Sequence, residues 1–247
     1  EEGYALKNMG SLPHISIAGS AATGTHGSGD KNQILSSSLV SFSYLDANGV
    51  IVTLNRSSKN FEACRVGLGA YGLWVNVTLA IVPSYQMRQD VFRNLPWEHF
   101  YKDPANLTAA GYSVSLFTKW VKSRMHDSAP PAEIAGIKPD STSMPELMPG
   151  VGDNLTQQGG EEGAWLDRLP HFRFDATPSA GDEIQTEYFF ERKNIVGAIK
   201  AIQNIASEIN PTLLISEIRT VAQDAAWLSP MLRGDSVAVH FTWVNDA

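Results

Sequence analysis

Two stretches near the C-terminal end carry residue types that bind hydroxyl groups. In Leu213–Val221, strand alternation puts Glu217 and Arg219 on one face, flanked by Ile215 and Val221. Ser216, Ile218 and Thr220 face the other way. In Ser236–Val244, the same alternation groups His240 and Thr242 with Ala238, opposite an apolar face of Val239, Phe241 and Trp243. Were the two strands neighbours, Glu217, Arg219, His240 and Thr242 would point into one space. Such a set suits a polyhydroxylated substrate: arginine donates a fork, glutamate accepts from hydroxyls, and histidine and threonine do either. On spacing alone, a solvated sheet face with an incidental Glu–Arg pair is the commoner arrangement.

A second candidate is the loop Ser20–Gly29, SAATGTHGSG. Gly24–Lys31 nearly matches a phosphate-binding P-loop. Asp30 stands where that motif needs lysine, and no hydroxyl residue follows Lys31. An acid there repels a triphosphate. What remains is either a run of backbone N–H groups suited to a phosphate diester or diphosphate, or a turn without ligand. Gly67-Leu68-Gly69-Ala70-Tyr71-Gly72 matches the dinucleotide fingerprint in its letters. Its flanks are reversed, helix-like before and strand-like after, so the helix N-terminus that holds a pyrophosphate is missing. The histidines show no H-E-x-x-H or Cys/His ligand spacing, so no metal is implied. No G-x-S-x-G elbow occurs.

The elements that must position these residues are legible in the patterning. Leu39–Leu45 and Val50–Leu54 read as a hairpin through an Asn-Gly turn. Ser58–Val66 has helical spacing, and Leu73–Val82 alternates as a strand that ends at Pro83. Mixed strand and helix follow from Tyr85 to Phe117. Lys122–Pro170 lacks periodicity and holds six of the 13 prolines, which predicts a long irregular excursion. Glu183–Phe190 reads as a strand. Arg192–Ile209 reads as one helix, with Ile195, Ile199, Ile202, Ile205 and Ile209 on a single face. With the two C-terminal strands, this predicts an α+β fold: a mostly antiparallel sheet with helices on one side.

Composition bounds the function. A 247-residue chain is long enough for one large domain or two small ones. The net charge of −7, without a basic run, argues against nucleic acid and anionic membrane as partners. The single cysteine, Cys64, makes no internal disulfide, which fits a reducing cytoplasm. The N-x-S/T triplets at Asn55, Asn76, Asn106 and Asn154 are read as chance matches. Glycine-rich loop chemistry begins by residue 10 and the last strand ends close to Ala247, so the chain is expected to be an internal segment of a longer protein.

The residues also carry a resemblance. Met9–Gly29, MGSLPHISIAGSAATGTHGSG, resembles the second half of the FAD-binding (PCMH-type) domain of the vanillyl-alcohol-oxidase superfamily. Within it the alditol (xylitol, sorbitol) oxidases are nearest, with the aldonolactone oxidases next. Leu68–Val75 resembles a later flavin-contacting turn. Tyr112–Phe117, Leu169–Arg173, Ser216–Val221, Trp227–Pro230 and Val239–Trp243 resemble alditol oxidases too. The likeness is weakest over Lys122–Val151.

The resemblance implies residues 1–85 as the C-terminal part of an FAD-binding domain and 86–247 as an incomplete substrate-binding cap domain. It implies FAD lined by Ser11, Ser16, Gly19, Thr23, Gly24, Thr25 and His26, with Leu73 or Trp74 meeting it through backbone. It implies polyol hydroxyls held by Ser11, Glu217, Arg219 and Thr242, with His240 beside the reacting carbon. His240, Glu217 and Arg219 are the catalytic candidates. The implied reaction oxidises the terminal CH–OH of an alditol and reduces dioxygen to hydrogen peroxide; the oligomeric state is left open, with a monomer favoured, and the cytoplasm is the expected location. The histidine that attaches FAD covalently is expected upstream of Glu1, and a lysine near the reacting hydroxyl beyond Ala247. Neither His14 nor His26 is read as the attachment point. The alternatives are an aldonolactone or sugar-acid oxidase, and a non-catalytic carbohydrate-binding remnant.

Overall fold

The computed structural model describes residues 2–120, 123–127, 134, 136–140, 154–176 and 182–245. Along the chain run β1 (Tyr4–Ala5), α1 (Ile17–Ala22), β2 (Leu39–Leu45), β3 (Ile51–Asn55), α2 (Phe61–Cys64), β4 (Leu73–Leu79), β5 (Val82–Pro83) and β6 (Gln86–Met87). Next come β7 (Asp90–Leu95), α3 (Trp97–Lys102), α4 (Pro104–Thr108), β8 (Val114–Thr118), β9 (Ser123–Asp127) and β10 (Gly163–Ala164). The chain ends with β11 (Glu183–Glu191), α5 (Ile195–Asn204), α6 (Ala206–Ile209), β12 (Leu213–Val221) and β13 (Ser236–Val244).

Six strands form the larger sheet in the order β11-β13-β12-β8-β9-β7, every pair antiparallel. Period-two alternation divides each C-terminal strand between two faces. One face is apolar: Ile218 of β12 with Val237, Val239 and Phe241 of β13 packs against Ile195 and Ile199 of α5, Phe100 of α3 and Leu107 of α4. The α+β expectation therefore holds, with helices on one side and the opposite face left for the site.

The helix expected over Arg192–Ile209 is divided. A 3-10 turn at Arg192–Asn194 leads into α5, and α6 follows after a break. The break is at Ile205, whose φ of −105° and ψ of 11° leave the helical region. Asn204, a weak helix former, precedes it. The consequence is that Ile205 leaves the buried stripe and is 44% exposed. A little over half of the irregular excursion expected over Lys122–Pro170 lies within the described residues. Its described part corrects the expectation, since β9 pairs with β8 and β7 inside the large sheet. The sequence of β9, Ser-Arg-Met-His-Asp, has no apolar alternation to announce it.

The smaller sheet has the order β3-β2-β4. The expected hairpin is present. At its turn the Asp46 carboxylate accepts from the N–H groups of Asn48 and Val50, each at 2.9 Å. Gly49 closes the turn at φ +76°, a conformation that glycine adopts without strain. Phe42 of β2 stacks on Trp74 of β4 with ring centroids 4.4 Å apart and packs on Phe61 of α2. Two bounds are shorter than expected: the helix within Ser58–Val66 is α2 alone, and β4 stops at Leu79. Pro83 lies within β5, which pairs with β1.

The glycine loop is braced from both sides. Ser16 caps α1, its Oγ accepting from the Gly19 N–H at 3.1 Å. At the far end the Gly29 N–H donates to the Thr220 carbonyl at 2.8 Å, joining the loop to the end of β12. A Cβ at Gly27 would stand 2.2 Å from the Met9 carbonyl oxygen, so the loop needs glycine to pack this closely. Asp30, the residue that spoils the P-loop, is gripped by Arg192: Nη1 lies 2.5 Å from Oδ1 and Nη2 2.5 Å from Oδ2. Thr220 Oγ1 donates to the same carboxylate at 2.7 Å. Its work is to fasten the loop to the large sheet.

Candidate functional site

The loop and the free face of the large sheet enclose a cavity of about 420 Å³. That lies within the ~300–1,000 Å³ usual for small-ligand sites. Strand register builds its floor. Glu187 of β11, His240 of β13, Glu217 of β12 and Phe117 of β8 stand in one row across four strands. The next row toward β11's start holds Gln185, Thr242 and Ile215; the one beyond Glu187 holds Phe189, Ala238, Arg219 and Ser115. Ala238 and Ser115 are small, which leaves room for the Arg219 guanidinium between them. Ser11, Thr23, Gly24, Thr25 and His26 form the opposite wall, and Leu12 and Ile15 an apolar edge. The segment carrying His171 closes a third side, anchored where the His171 N–H donates to the Ser11 carbonyl at 3.1 Å.

Arg219 is the centre of the polar contacts. Nη1 donates to Ser11 Oγ at 3.1 Å, and Nη2 to Glu187 Oε1 at 2.5 Å. Its Nε faces Glu217 Oε2 at 3.7 Å, too far for a hydrogen bond. The other Glu187 oxygen lies 3.2 Å from His26 Nε2, and His26 Nδ1 lies 2.8 Å from the Gly27 carbonyl oxygen. Glu217 Oε1 is 3.7 Å from His171 Nδ1. Thr242 Oγ1 and His240 Nε2 are 3.3 Å apart.

The charges follow from burial and from these neighbours. Burial pushes the Glu217 carboxyl up, but Arg219, with His171 and His240, holds it below the ordinary carboxylate value. Glu187 is likewise lowered: Arg219 and His26 outweigh its burial. Burial would lower Arg219, and the Glu217 and Glu187 carboxylates raise it instead. His171 and His240 are both lowered, chiefly by burial, with Arg219 adding to the effect and Glu217 opposing it. At neutral pH Glu187 and Glu217 are thus carboxylates, Arg219 a guanidinium, and His171 and His240 neutral imidazoles, all on the lining of one cavity.

The structure brings together most of the residues singled out in the sequence. Ser11, Thr23, Gly24, Thr25, His26, Glu217, Arg219, His240 and Thr242 all line the one cavity. Ser16 and Gly19 do not; they form the capped first turn of α1 behind it. Leu73 and Trp74 are also elsewhere. Leu73 is 70% exposed and Trp74 packs in the smaller core. Five polar lining residues were not among the site candidates: Gln158, His171, Glu183, Gln185 and Glu187. Glu183, Gln185 and Glu187 alternate along β11, so the period-two rule that found Glu217 and Arg219 also reaches them. His171 sits in irregular chain, where no period exists to find it.

The wall of the glycine loop fits a bound cofactor in part. Thr23, Gly24, Thr25 and His26 line the cavity, and Gly24, at φ +70°, carries no side chain into it. Across the cavity Glu217 Oε1 and Arg219 Nε complete no hydrogen bond among the described residues, though both are buried. Such atoms call for a polar ligand between the two walls.

The chain resembles known proteins in sequence and in fold. No protein-family profile matches the chain. It is 40% identical over 254 aligned residues to alditol oxidase of Streptomyces sp. strain IKD472, a match that covers 99% of this chain and 60% of that protein. L-gulonolactone oxidase of Bos taurus is 36% identical over 94 residues, which cover 37% of this chain and 21% of the relative. In fold, the chain superposes on the crystal structure of cholesterol oxidase from B. sterolicum with a TM-score of 0.72 at 13% identity, over 99% of this chain and 61% of that one. The chain is an alditol oxidase homologue along almost all of its length, and it spans about three fifths of that relative.

Proposed function

We propose that this chain belongs to an FAD-dependent oxidase that acts on the terminal CH–OH of alditols such as xylitol and sorbitol. The observation that carries the reading is the convergence of Ser11, Glu217, Arg219, His240 and Thr242 on one cavity beside the glycine loop. Residues 1–85 supply part of the cofactor domain in this reading, and residues 86–247 the substrate-binding cap.

FAD, when bound, supplies the two-electron acceptor for the carbinol and passes the pair to dioxygen, giving hydrogen peroxide. Ser11, Thr23, Gly24, Thr25 and His26 would border it. The rest falls to the polar floor. Arg219 donates to a substrate hydroxyl oxygen through the fork it already extends toward Ser11. Glu217, held as the anion, accepts from hydroxyl protons. His240, held neutral, stands beside Thr242 and presents either a donor or an acceptor to the carbinol. Together these groups fix the alcohol in one orientation, and orientation is the larger share of what a site can add when a cofactor carries the redox step. The proton acceptor for the carbinol hydroxyl is assigned to none of them.

Glu217 also decides between substrate classes. An anionic carboxylate at the floor of the cavity repels a sugar acid and welcomes a neutral polyol. The test is a spectrum and a peroxide assay on the full-length protein. Flavin absorbance with xylitol-dependent peroxide is expected. A colourless preparation sinks the oxidase reading, and peroxide from an aldonolactone but not from xylitol moves the protein to the other oxidase class.

A further inference from the structure

Glu187 belongs to the floor of the cavity but has no assigned part, and both of its oxygens are engaged. Oε1 accepts from Arg219 Nη2 at 2.5 Å and Oε2 lies 3.2 Å from His26 Nε2. It thus ties the glycine loop to the arginine that faces the ligand. Arg219 has a second carboxylate within reach, two residues away on its own strand. Yet it stands 3.7 Å from Glu217 and 2.5 Å from Glu187. A guanidinium between two carboxylates goes where the charge-assisted bond is shorter. Directly across the sheet it faces only the small Ala238 and Ser115, and its remaining side-chain hydrogen bond among the described residues is to Ser11. As a result, Arg219 Nε stays buried with no hydrogen bond among the described residues; Glu217 Oε1, on the side of His171, is likewise unbonded.

We infer that Glu187 is a positioning residue that holds Arg219 off Glu217 and so keeps the pair open to a hydroxyl-bearing ligand. This rests on the polyol reading given above. Without Glu187 the guanidinium turns onto Glu217, and the two groups satisfy each other instead of a substrate. The amide of Gln keeps most of the effect, because its oxygen still accepts from Nη2.

The test uses the full-length protein as E187A and E187Q. Substrate-free crystal structures read the distance from Arg219 to Glu217. In E187A it is expected to close to a hydrogen bond of about 2.9 Å, and in E187Q to remain open. Steady-state assays with xylitol should show KM raised about ten-fold in E187A with kcat changed less, and most of that loss recovered in E187Q. An E187A structure with Arg219 unmoved, or an unchanged KM, overturns the inference. If E187A does not fold, E187D decides: its shorter reach must raise KM, and an unchanged KM is again fatal. A parent protein that oxidises no polyol defeats the functional reading alone, because the distance comparison still decides what Glu187 does.

Discussion

Arg219 and Ser11, 208 residues apart in the chain, are joined by a hydrogen bond of 3.1 Å across the cavity. One comes from the middle of a sheet strand and the other from the loop region that precedes α1. The bond therefore records how the two halves of the site meet. Replacing Arg219 by Lys keeps the charge but loses the fork that reaches Ser11 and Glu187 together. Hydrogen bonds to a charged group are worth about 1.5–3 kcal/mol, so under the proposed polyol function kcat/KM for xylitol should fall roughly ten- to a hundred-fold in Arg219→Lys. Ser11→Ala should cost up to about ten-fold, since one neutral partner is lost. Flavin content measured beside the kinetics separates a substrate effect from a cofactor effect. Kinetics within two-fold of the parent for Arg219→Lys would remove Arg219 from the site.

The buried histidines set the response to acid. His171 and His240 both have folded values below the ordinary 6.5, chiefly through burial. As pH falls through about 6.5, the unfolded chain takes up protons first, so the folded state loses stability until the depressed folded values are reached. Glu217 adds a second loss at lower pH. Its folded value lies below 4.5, so the stability it contributes is present above that pH and disappears as pH falls through the folded value. The melting temperature should therefore decline from pH 7 to pH 5. In His171→Asn the decline should be shallower, with His240, Glu217 and Arg219 still facing the position. An equal slope in parent and variant would show that His171 does not carry it.

Much of this site was legible because it is built on strands. Alternation in Leu213–Val221 and Ser236–Val244 placed Glu217, Arg219, His240 and Thr242 on one face, and the observed register adds that His240 lies directly opposite Glu217. Alternation in Glu183–Glu191 puts Glu187 on a face with Glu183 and Gln185, but that this face joins the one with His240 needs the strand order, which no single segment contains. His171 lies outside any periodic element, and tertiary contacts such as the bond from its N–H to the Ser11 carbonyl bring it to the cavity. The helical segment shows the same limit from another side. The isoleucine stripe from Ile195 to Ile199 faces the core as its spacing predicts, but a break at Ile205 rests on one backbone conformation that the stripe does not encode. Hydrophobic period reports which face is buried, while the end of an element is decided by caps and tertiary fit.

Asp30 offers a test of the loop that does not depend on any ligand. Its carboxylate is held by both Arg192 nitrogens, and the two side chains are only 19% and 22% exposed. Asp30→Asn keeps the shape and removes the charge, leaving Arg192 largely buried without a counter-ion. A fully buried broken pair costs about 3–5 kcal/mol, and the remaining solvent contact reduces this to about 2 kcal/mol. Urea unfolding of Asp30→Asn should show a lower midpoint with an unchanged slope. A midpoint equal to that of the parent would mean that the loop is held by the Gly29–Thr220 contact instead.

Two isoleucines of the same stripe should behave differently on truncation. Ile199 is fully buried, between α5 and the apolar face of the large sheet. Ile205 is 44% exposed beyond the break. Removing a buried isoleucine side chain to alanine costs about 2–5 kcal/mol, because the transfer free energy is lost and a cavity is left behind. At the exposed position the change should stay within about 0.5 kcal/mol. Ile199→Ala and Ile205→Ala compared by thermal or urea unfolding thus place the helix break in solution. Equal destabilisation would restore the single helix over Arg192–Ile209 and return Ile205 to the core. The large difference expected here requires that the chain leave the helical path at Ile205 before α6 begins.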